Sequence, residues 1–418
     1  MHHRATDIAV IGAGVIGLTV ALHLADQGHA VVMVDPAPPG SGASHGNAGT
    51  VADYAVQPVG TPGVLRDLPR LLFDRDSPLA IRPGAMLGLT PWLARFLGQS
   101  LPGPAARNAR ALAGLLADAT PRWVDLAAQI GATDLMRDRG CLYLYRSPGA
   151  LAAAQADLDF RRRLGVTVQA VTAAELAAME PGLPPMAGAA FFPQARFLTD
   201  PGAVMARLAA AVRRAGVEIL PDRAQAIVRL VDGVEVTGPG LRLHARRVVI
   251  AAGAWSAALA RTAGDRLPLD TERGYHVEWD LPDPPVTRPC CPTDLGFYLC
   301  PMQGRLRLAG TVELGGIEAP PSPRRIARLV QGARRLFPGL PERPDRDWMG
   351  LRPSIPDSLP VIGASARGAE VIHAYGHGHL GVTLAPRTAA LVADLVAGRD
   401  PGPVAAAVAP GRFRAAWF

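Results

Sequence analysis

Lysine is absent from this chain: all 43 basic residues among its 418 are arginine. That excludes lysine Schiff-base chemistry, a lysine general base and a lysine that activates oxygen. Cysteine is scarce, with only Cys141, Cys290, Cys291 and Cys300. The first strand-like run begins at Asp7, which leaves no room for a signal peptide, so the expectation is a reducing cytoplasm and not a disulfide framework. No apolar run reaches the ~18 residues of a membrane span. Acidic residues number 36, giving a formal net charge of +7 and a pI near 9.8. The arginines are scattered, and no basic run exceeds Arg161-Arg162-Arg163. A solvated surface follows, and no nucleic-acid partner is expected.

Hydrophobic residues make up 49% of the chain, enough for two substantial cores in a globular protein of this length. The organising stretch is DIAVIGAGVIGLTVALHLADQGHAVVMVD, Asp7 to Asp35. Asp7 to Ile11 reads as a buried strand, Gly12 to Gly17 as a tight turn, Val15 to Gln27 as a helix and Ala30 to Asp35 as a second strand. Together they form one βαβ unit. Gly12 allows the turn, Gly14 lets backbone approach a pyrophosphate and Gly17 lets helix and strand pack closely. The first-turn N–H groups, those of Val15 and Ile16 among them, face the anion. Asp35 ends the second strand, where a carboxylate can accept hydrogen bonds from a ribose. A dinucleotide site follows, and the unit leaves NAD and FAD both open.

The next segment, PAPPGSGASHGNAGTVADY, starts with prolines that stop a regular element. Its small and polar residues, Ser44 to Gly49, are candidates to wrap a phosphate or a ring edge. Residues 60–102 carry Arg66, Arg70, Arg75, Arg82 and Arg95 among apolar side chains. This is the pattern of a basic amphipathic cover over the site or of peripheral membrane contact. Helical stretches are expected at 104–130, 149–164 and 201–215, and strands at 141–145, 218–220, 226–230 and 233–237. Arg247 to Ala252 is an apolar strand running into Gly253-Ala254-Trp255-Ser256, the way a parallel sheet brings backbone to a nucleotide. Residues 263–345 alternate as antiparallel strands. On one of these Arg305 and Arg307 share a face, either a solvent face or an anion clamp.

The C-terminal part carries WMGLRPSIPDSLPVIG, a strand Val371 to Ala374, and then GHGHLGVTLAP opening onto a helix from about Thr383. Pro386 is read as part of its first turn. This second glycine-rich loop at a helix N-terminus offers positive partial charge, which a flavin ring uses at N1 and C2=O on reduction.

GAGVIGL, VVIAAGAWS and GLRP…PVIG…GHGHLGVTLAP, in this order across the chain, resemble the FAD-dependent D-amino-acid oxidase and dehydrogenase superfamily. SHGNAG, SPLAIRP and GHGHLG are most similar to its bacterial D-amino-acid dehydrogenases. The resemblance implies an α/β fold (α+β overall), with a Rossmann-like FAD-binding domain (1–52, 187–262, 346–405) interleaved with a substrate domain of antiparallel β-sheet and helices (53–186, 263–345) and a tail, 406–418. It implies non-covalent FAD, because the flavin-tethering cysteine of sarcosine oxidases falls on Gly350. It implies oxidation of a D-amino acid, or a cyclic one such as D-proline or hydroxyproline, with hydride passing from Cα to flavin N5. The imino acid would then hydrolyse to a keto acid. An oxygen-using oxidase of sarcosine, glycine or proline type is the alternative, whereas a dehydrogenase would pass electrons to a quinone or a carrier protein. Arg352 takes the carboxylate-binding role of the GxRP motif, and Tyr298 that of a carboxylate-binding tyrosine. His379, Arg307 and Tyr275 complete the expected catalytic set. The expected cofactor contacts are Gly12, Gly14, Val15, Ile16, Gly17, Asp35, Ser44, His45, Asn47, Ala48, Gly49, Ala251, Gly253, Trp255, Arg352, Gly376, His377, Gly378, His379, Leu380, Gly381, Val382 and Thr383.

Overall fold

The computed structural model describes residues 2–73 and 79–416. The βαβ unit forms as its sequence pattern requires. A strand His2–Ile11 leads through the glycine turn into a helix Val15–Asp26 and a strand Val31–Val34. The first strand pairs in parallel with Val31–Val34 on one side and with Leu241–Ile250 on the other. Glu218–Leu220 extends the parallel sheet at one edge, and Gly368–Tyr375 adds in parallel beside Leu241–Ile250. The hairpin Ala226–Leu230 and Gly233–Thr237 completes the other side. The turn glycines pack as their spacing demands: a Cβ on Gly17 would lie 1.9 Å from the Gly12 carbonyl oxygen, and one on Gly12 (φ +106°) 2.4 Å from that of Ala251.

The helix Gly381–Val396 packs against Val15–Asp26, and both are buried along most of their length. It begins two residues before the expected start, which puts Pro386 inside the helix and not in its first turn. Proline lacks the N–H that would bond the carbonyl four residues back. That carbonyl, on Val382, instead accepts the indole N–H of the buried Trp123 at 2.7 Å.

A second, nine-stranded sheet is mostly antiparallel and runs Arg346–Ser354, Asp270–Asp280, Arg305–Leu314, Phe297–Met302, Cys290–Pro292, Cys141–Tyr145, Gly188–Phe192, Gln169–Thr172. Leu79–Ile81 joins it beside Arg305–Leu314. Gly188–Phe192 and Arg346–Ser354, which follow the expected boundaries at 187 and 346, are strands of this second sheet. The last residues dock on the first sheet, where the Arg412 guanidinium donates to Asp357 at 2.8 Å and to the Leu359 carbonyl.

Residues 62–73 and 86–99 are helical. Arg75 and the first two residues of SPLAIRP lie outside the described residues. The segment braces the second sheet: Arg82 pairs with Glu313 at 3.2 Å, and the Trp92 indole donates to the Ser354 carbonyl. No helix among the described residues is long and apolar enough to cross a membrane.

Candidate active site

A cavity of about 1010 Å³ runs from the glycine turn of the first sheet to the strands of the second. At one end Gly12, Gly14, Val15, Ile16 and Asp35 line it. The Asp35 carboxylate accepts the Ala13 N–H at 2.7 Å and the Ala37 N–H at 2.8 Å, which fixes its position at the strand end. Ser44 Oγ accepts the Val15 N–H at 2.9 Å, so Ser44 takes one of the four orphan donors of the helix and leaves the others to an anion. Asn47, Ala48 and Gly49 line the middle, with Ala251, Gly253 and Trp255 on the far wall. His377 through Val382 close the other side, at the uncapped start of Gly381–Val396.

Four expected cofactor residues stand off the lining. Gly17 packs helix on strand. Gly376 packs on Ile355. Thr383 Oγ1 accepts the Ala52 N–H at 3.0 Å and donates to the Thr50 carbonyl, tying helix to strand. His45 is exposed, with its ring over Gly202. For His45 and Gly376 both chain neighbours line the cavity, while Gly17 and Thr383 lie one residue further into their helices.

The loop 44–49 is held from the second sheet. His276 Nδ1 donates to the Gly46 carbonyl at 2.8 Å while its ring stacks on Trp348. Burial and the Arg307 charge hold this imidazole down to about 4, so it is neutral at pH 7. Arg307 donates to the Asn47 carbonyl at 2.6 Å and to Glu278 at 2.7 Å. It is 3% exposed and absent from the cavity lining. Arg307 is thus buried away from solvent and off the cavity lining, and its bonds go to the loop 44–49 and to Glu278. Burial raises the Glu278 pKa, but Arg307, His276 and Arg305 outweigh it and the net shift is downward.

Towards the second sheet Arg352, Tyr298, Tyr275 and His379 share the cavity lining. Arg352 lies directly across the sheet from Glu272 and donates to the Thr311 carbonyl at 3.2 Å. A Cβ on Gly274 would lie 2.3 Å from the Arg352 Cζ, so only glycine admits the guanidinium here. Thr311 adopts φ +57°, strained for a β-branched residue, and the carbonyl of this residue is the one that holds Arg352. Burial raises the pKa of the Glu272 carboxyl, opposed by the Arg352 charge and a hydrogen bond from Ser354. Tyr298 lines the cavity with its hydroxyl 2.9 Å from that of Tyr143 and 3.5 Å from that of Tyr54. Tyr275 lines the cavity, with its hydroxyl donating to Glu313 at 2.6 Å and accepting the Ser322 N–H at 3.1 Å. His379 faces the cavity, and its surroundings together with Arg352 lower its pKa. His377 is buried, bonded to Thr388 Oγ1 at 2.9 Å and lowered to about 3 by burial. His377 therefore supplies no positive charge at pH 7.

Tyr54, Tyr143, Arg161 and Thr311 were not anticipated. They come from segments distant in sequence, and only the alternating Cys141–Tyr145 strand gave a signal, that Tyr143 would share a face with Cys141 and Tyr145.

A glycine turn on a buried parallel sheet, a second helix start facing the same cavity and an arginine-bearing antiparallel wall define a nucleotide-dependent oxidoreductase with a separate substrate wall. The chain belongs to the FAD dependent oxidoreductase family, whose model matches residues 7–395. It is 34% identical to a D-amino-acid oxidase of Bradyrhizobium diazoefficiens over 97% of this chain and 98% of that protein. It is 33% identical to D-amino acid dehydrogenase 2 of Ralstonia nicotianae over 97% and 100% respectively. Among solved structures, glycine oxidase from Geobacillus kaustophilus superposes with a TM-score of 0.76 at 26% identity, covering 95% of this chain and 96% of that one. FAD fits the residues present: the cavity spans both helix starts, and side chains on Gly12 or Gly17 would fill the turn that cradles it.

Proposed function

We propose that this protein oxidises a D-amino acid at its α-carbon and passes the electrons to an acceptor other than oxygen. The observation that carries the reading is Arg352: a guanidinium in the cavity wall whose one hydrogen bond among the described residues goes to the Thr311 carbonyl. A cation so placed needs an anion to satisfy its remaining donors. The α-carboxylate supplies it in a bidentate geometry that fixes the orientation of Cα. Tyr298 adds a hydroxyl, and Tyr143 and Tyr54 hold that hydroxyl in place. FAD, when bound, supplies the hydride acceptor. The protein's own part is to orient and to exclude water.

FAD is held without a covalent bond. Position 350 is a glycine packed against Trp348, and His45 is exposed and absent from the cavity lining. A dehydrogenase reading is supported by the absence of lysine, which removes the lysine cation that promotes electron transfer to oxygen. The acceptor is a quinone or a carrier protein. Met86 and Leu87, exposed at the start of the helix Met86–Gln99, offer an apolar contact with a membrane surface.

Arg352→Ala tests the reading. Loss of a charge-assisted pair costs about 1.5–3 kcal/mol, so anaerobic flavin reduction by D-alanine should weaken by roughly tenfold or more while FAD stays bound. Unchanged reduction kinetics would remove Arg352 from the site.

A further inference from the structure

The cavity does not end at Tyr298. Beyond it the wall is made by Tyr54, Gln57, Tyr143, Arg161, Cys291 and Thr293. Arg161 projects from the helix Pro148–Arg163 and is 7% exposed. Its Cζ lies 5.7 Å from the centroid of the Tyr143 ring, on the ring face. Tyr143 in turn touches Tyr298, so one tyrosine separates Arg161 from the expected carboxylate-binding hydroxyl.

The guanidinium is only partly used. Its Nε donates to Asp157 at 2.9 Å and one terminal nitrogen donates to the Tyr54 carbonyl at 2.7 Å. Among the described residues Nη2 has no hydrogen-bond partner. The Asp157 side chain is 34% exposed, and its other oxygen is taken by the Gln57 amide. Its charge is therefore shared and screened by water, which weakens its compensation of Arg161. No carboxylate lines this end of the cavity: the sole acidic residue of the lining is Asp35, at the nucleotide turn.

One guanidinium, Arg352, suffices for an α-carboxylate. Resting on the reading above, we infer that Arg161 binds a second carboxylate, carried on the side chain of the substrate, so that the enzyme selects dicarboxylic D-amino acids. The same charge disfavours cationic side chains, because a lysine- or arginine-like substrate would set a like charge against Arg161, whose carboxylate partner Asp157 lies off the cavity lining and is shared with Gln57 and water. Neutral side chains fit the tyrosine-lined space but leave the Arg161 donors unmet.

The test compares near-isosteric substrates that differ in charge. The purified holoenzyme is titrated anaerobically with D-glutamate and D-glutamine, D-aspartate and D-asparagine, and D-lysine, following flavin bleaching. Each acid should reduce the flavin at a concentration about tenfold or more below its amide, and D-lysine should be the poorest. Arg161→Gln should bring the acid-to-amide ratio towards one, and Arg161→Lys should restore part of it. Flavin content and thermal midpoint establish that each variant is folded. The wild-type ratio decides the question even if Arg161→Gln does not fold. Reduction by the amides or by D-alanine with no preference for the acids would overturn the inference and leave the proposed function standing. No reduction by any D-amino acid would overturn both.

Discussion

Replacing Glu278 with alanine should destabilise the protein and release FAD without any direct change to substrate binding. Three arginines converge on this carboxylate: Arg307 at 2.7 Å, Arg346 at 3.1 Å and Arg305 at 3.6 Å. Their environments decide the cost. The Arg346 side chain is 48% exposed, and that of Arg305 is 23% exposed and also reaches Asp200. Water and the second partner absorb most of what those two lose, a contribution of about 0–1 kcal/mol each. Arg307 is 3% exposed and has no other carboxylate, so removing Glu278 leaves a buried charge unpaired, at about 3–5 kcal/mol. Because Arg307 also holds the Asn47 carbonyl, the loss loosens the loop that lines the cofactor cavity. Denaturant unfolding of apoprotein and holoprotein, with a measurement of FAD retention on gel filtration, reads both effects. The pH dependence gives a second check. The folded pKa of Glu278 is lowered from about 4.5, so its contribution is fully present above that pH and is lost as pH falls through the folded value. The deficit of the variant should therefore shrink in acid. An Arg307→Met enzyme of unchanged stability and flavin content that nevertheless binds substrate poorly would refute this account and return Arg307 to the substrate site.

Gly274→Ala should displace the Arg352 guanidinium, since the new methyl would fall 2.3 Å from Cζ; reduction by D-amino acids should weaken by roughly tenfold or more at normal FAD content, and a fully active variant would show that the arginine has another route. Trp123→Phe removes the donor to the Val382 carbonyl that Pro386 leaves unpaired, at about 1–3 kcal/mol, measured as a fall in unfolding free energy; no fall would mean that another donor reaches it. His377 has a folded pKa lowered from 6.5 to about 3, so the unfolded chain takes up its proton first. Its contribution to stability is complete above pH 6.5 and declines as pH falls towards 3, and His377→Asn should flatten that limb of the acid profile.

How much was legible varies with the range of the interaction. The βαβ unit was readable because strand, turn glycines, helix and terminal Asp35 are contiguous and their roles are local. The hairpin 226–237 was readable for the same reason. The face shared by Arg305 and Arg307 was also readable, but strand periodicity says which side a residue takes and not what covers it. Glu278, one strand away, and the loop 44–49 turned that face into a brace. His45 sat in the right loop and Thr383 at the right helix start, yet which residue there faces the cavity depends on local backbone geometry that spacing does not encode. Arg161 was visible only as part of a basic run, because its partners Tyr54 and Tyr143 reach it from other segments. Pro386 was placed one turn too early, since the donor that makes it tolerable belongs to a helix more than two hundred residues upstream.

The central claim is that the Arg352 wall holds the carboxylate of a D-amino acid beside the cofactor. Anaerobic titration of the purified yellow protein with matched D and L enantiomers of alanine, glutamate and proline tests it most directly. The account predicts bleaching by the D forms and release of all the yellow colour on acid denaturation. Bleaching by the L forms alone, or by no amino acid, would contradict it.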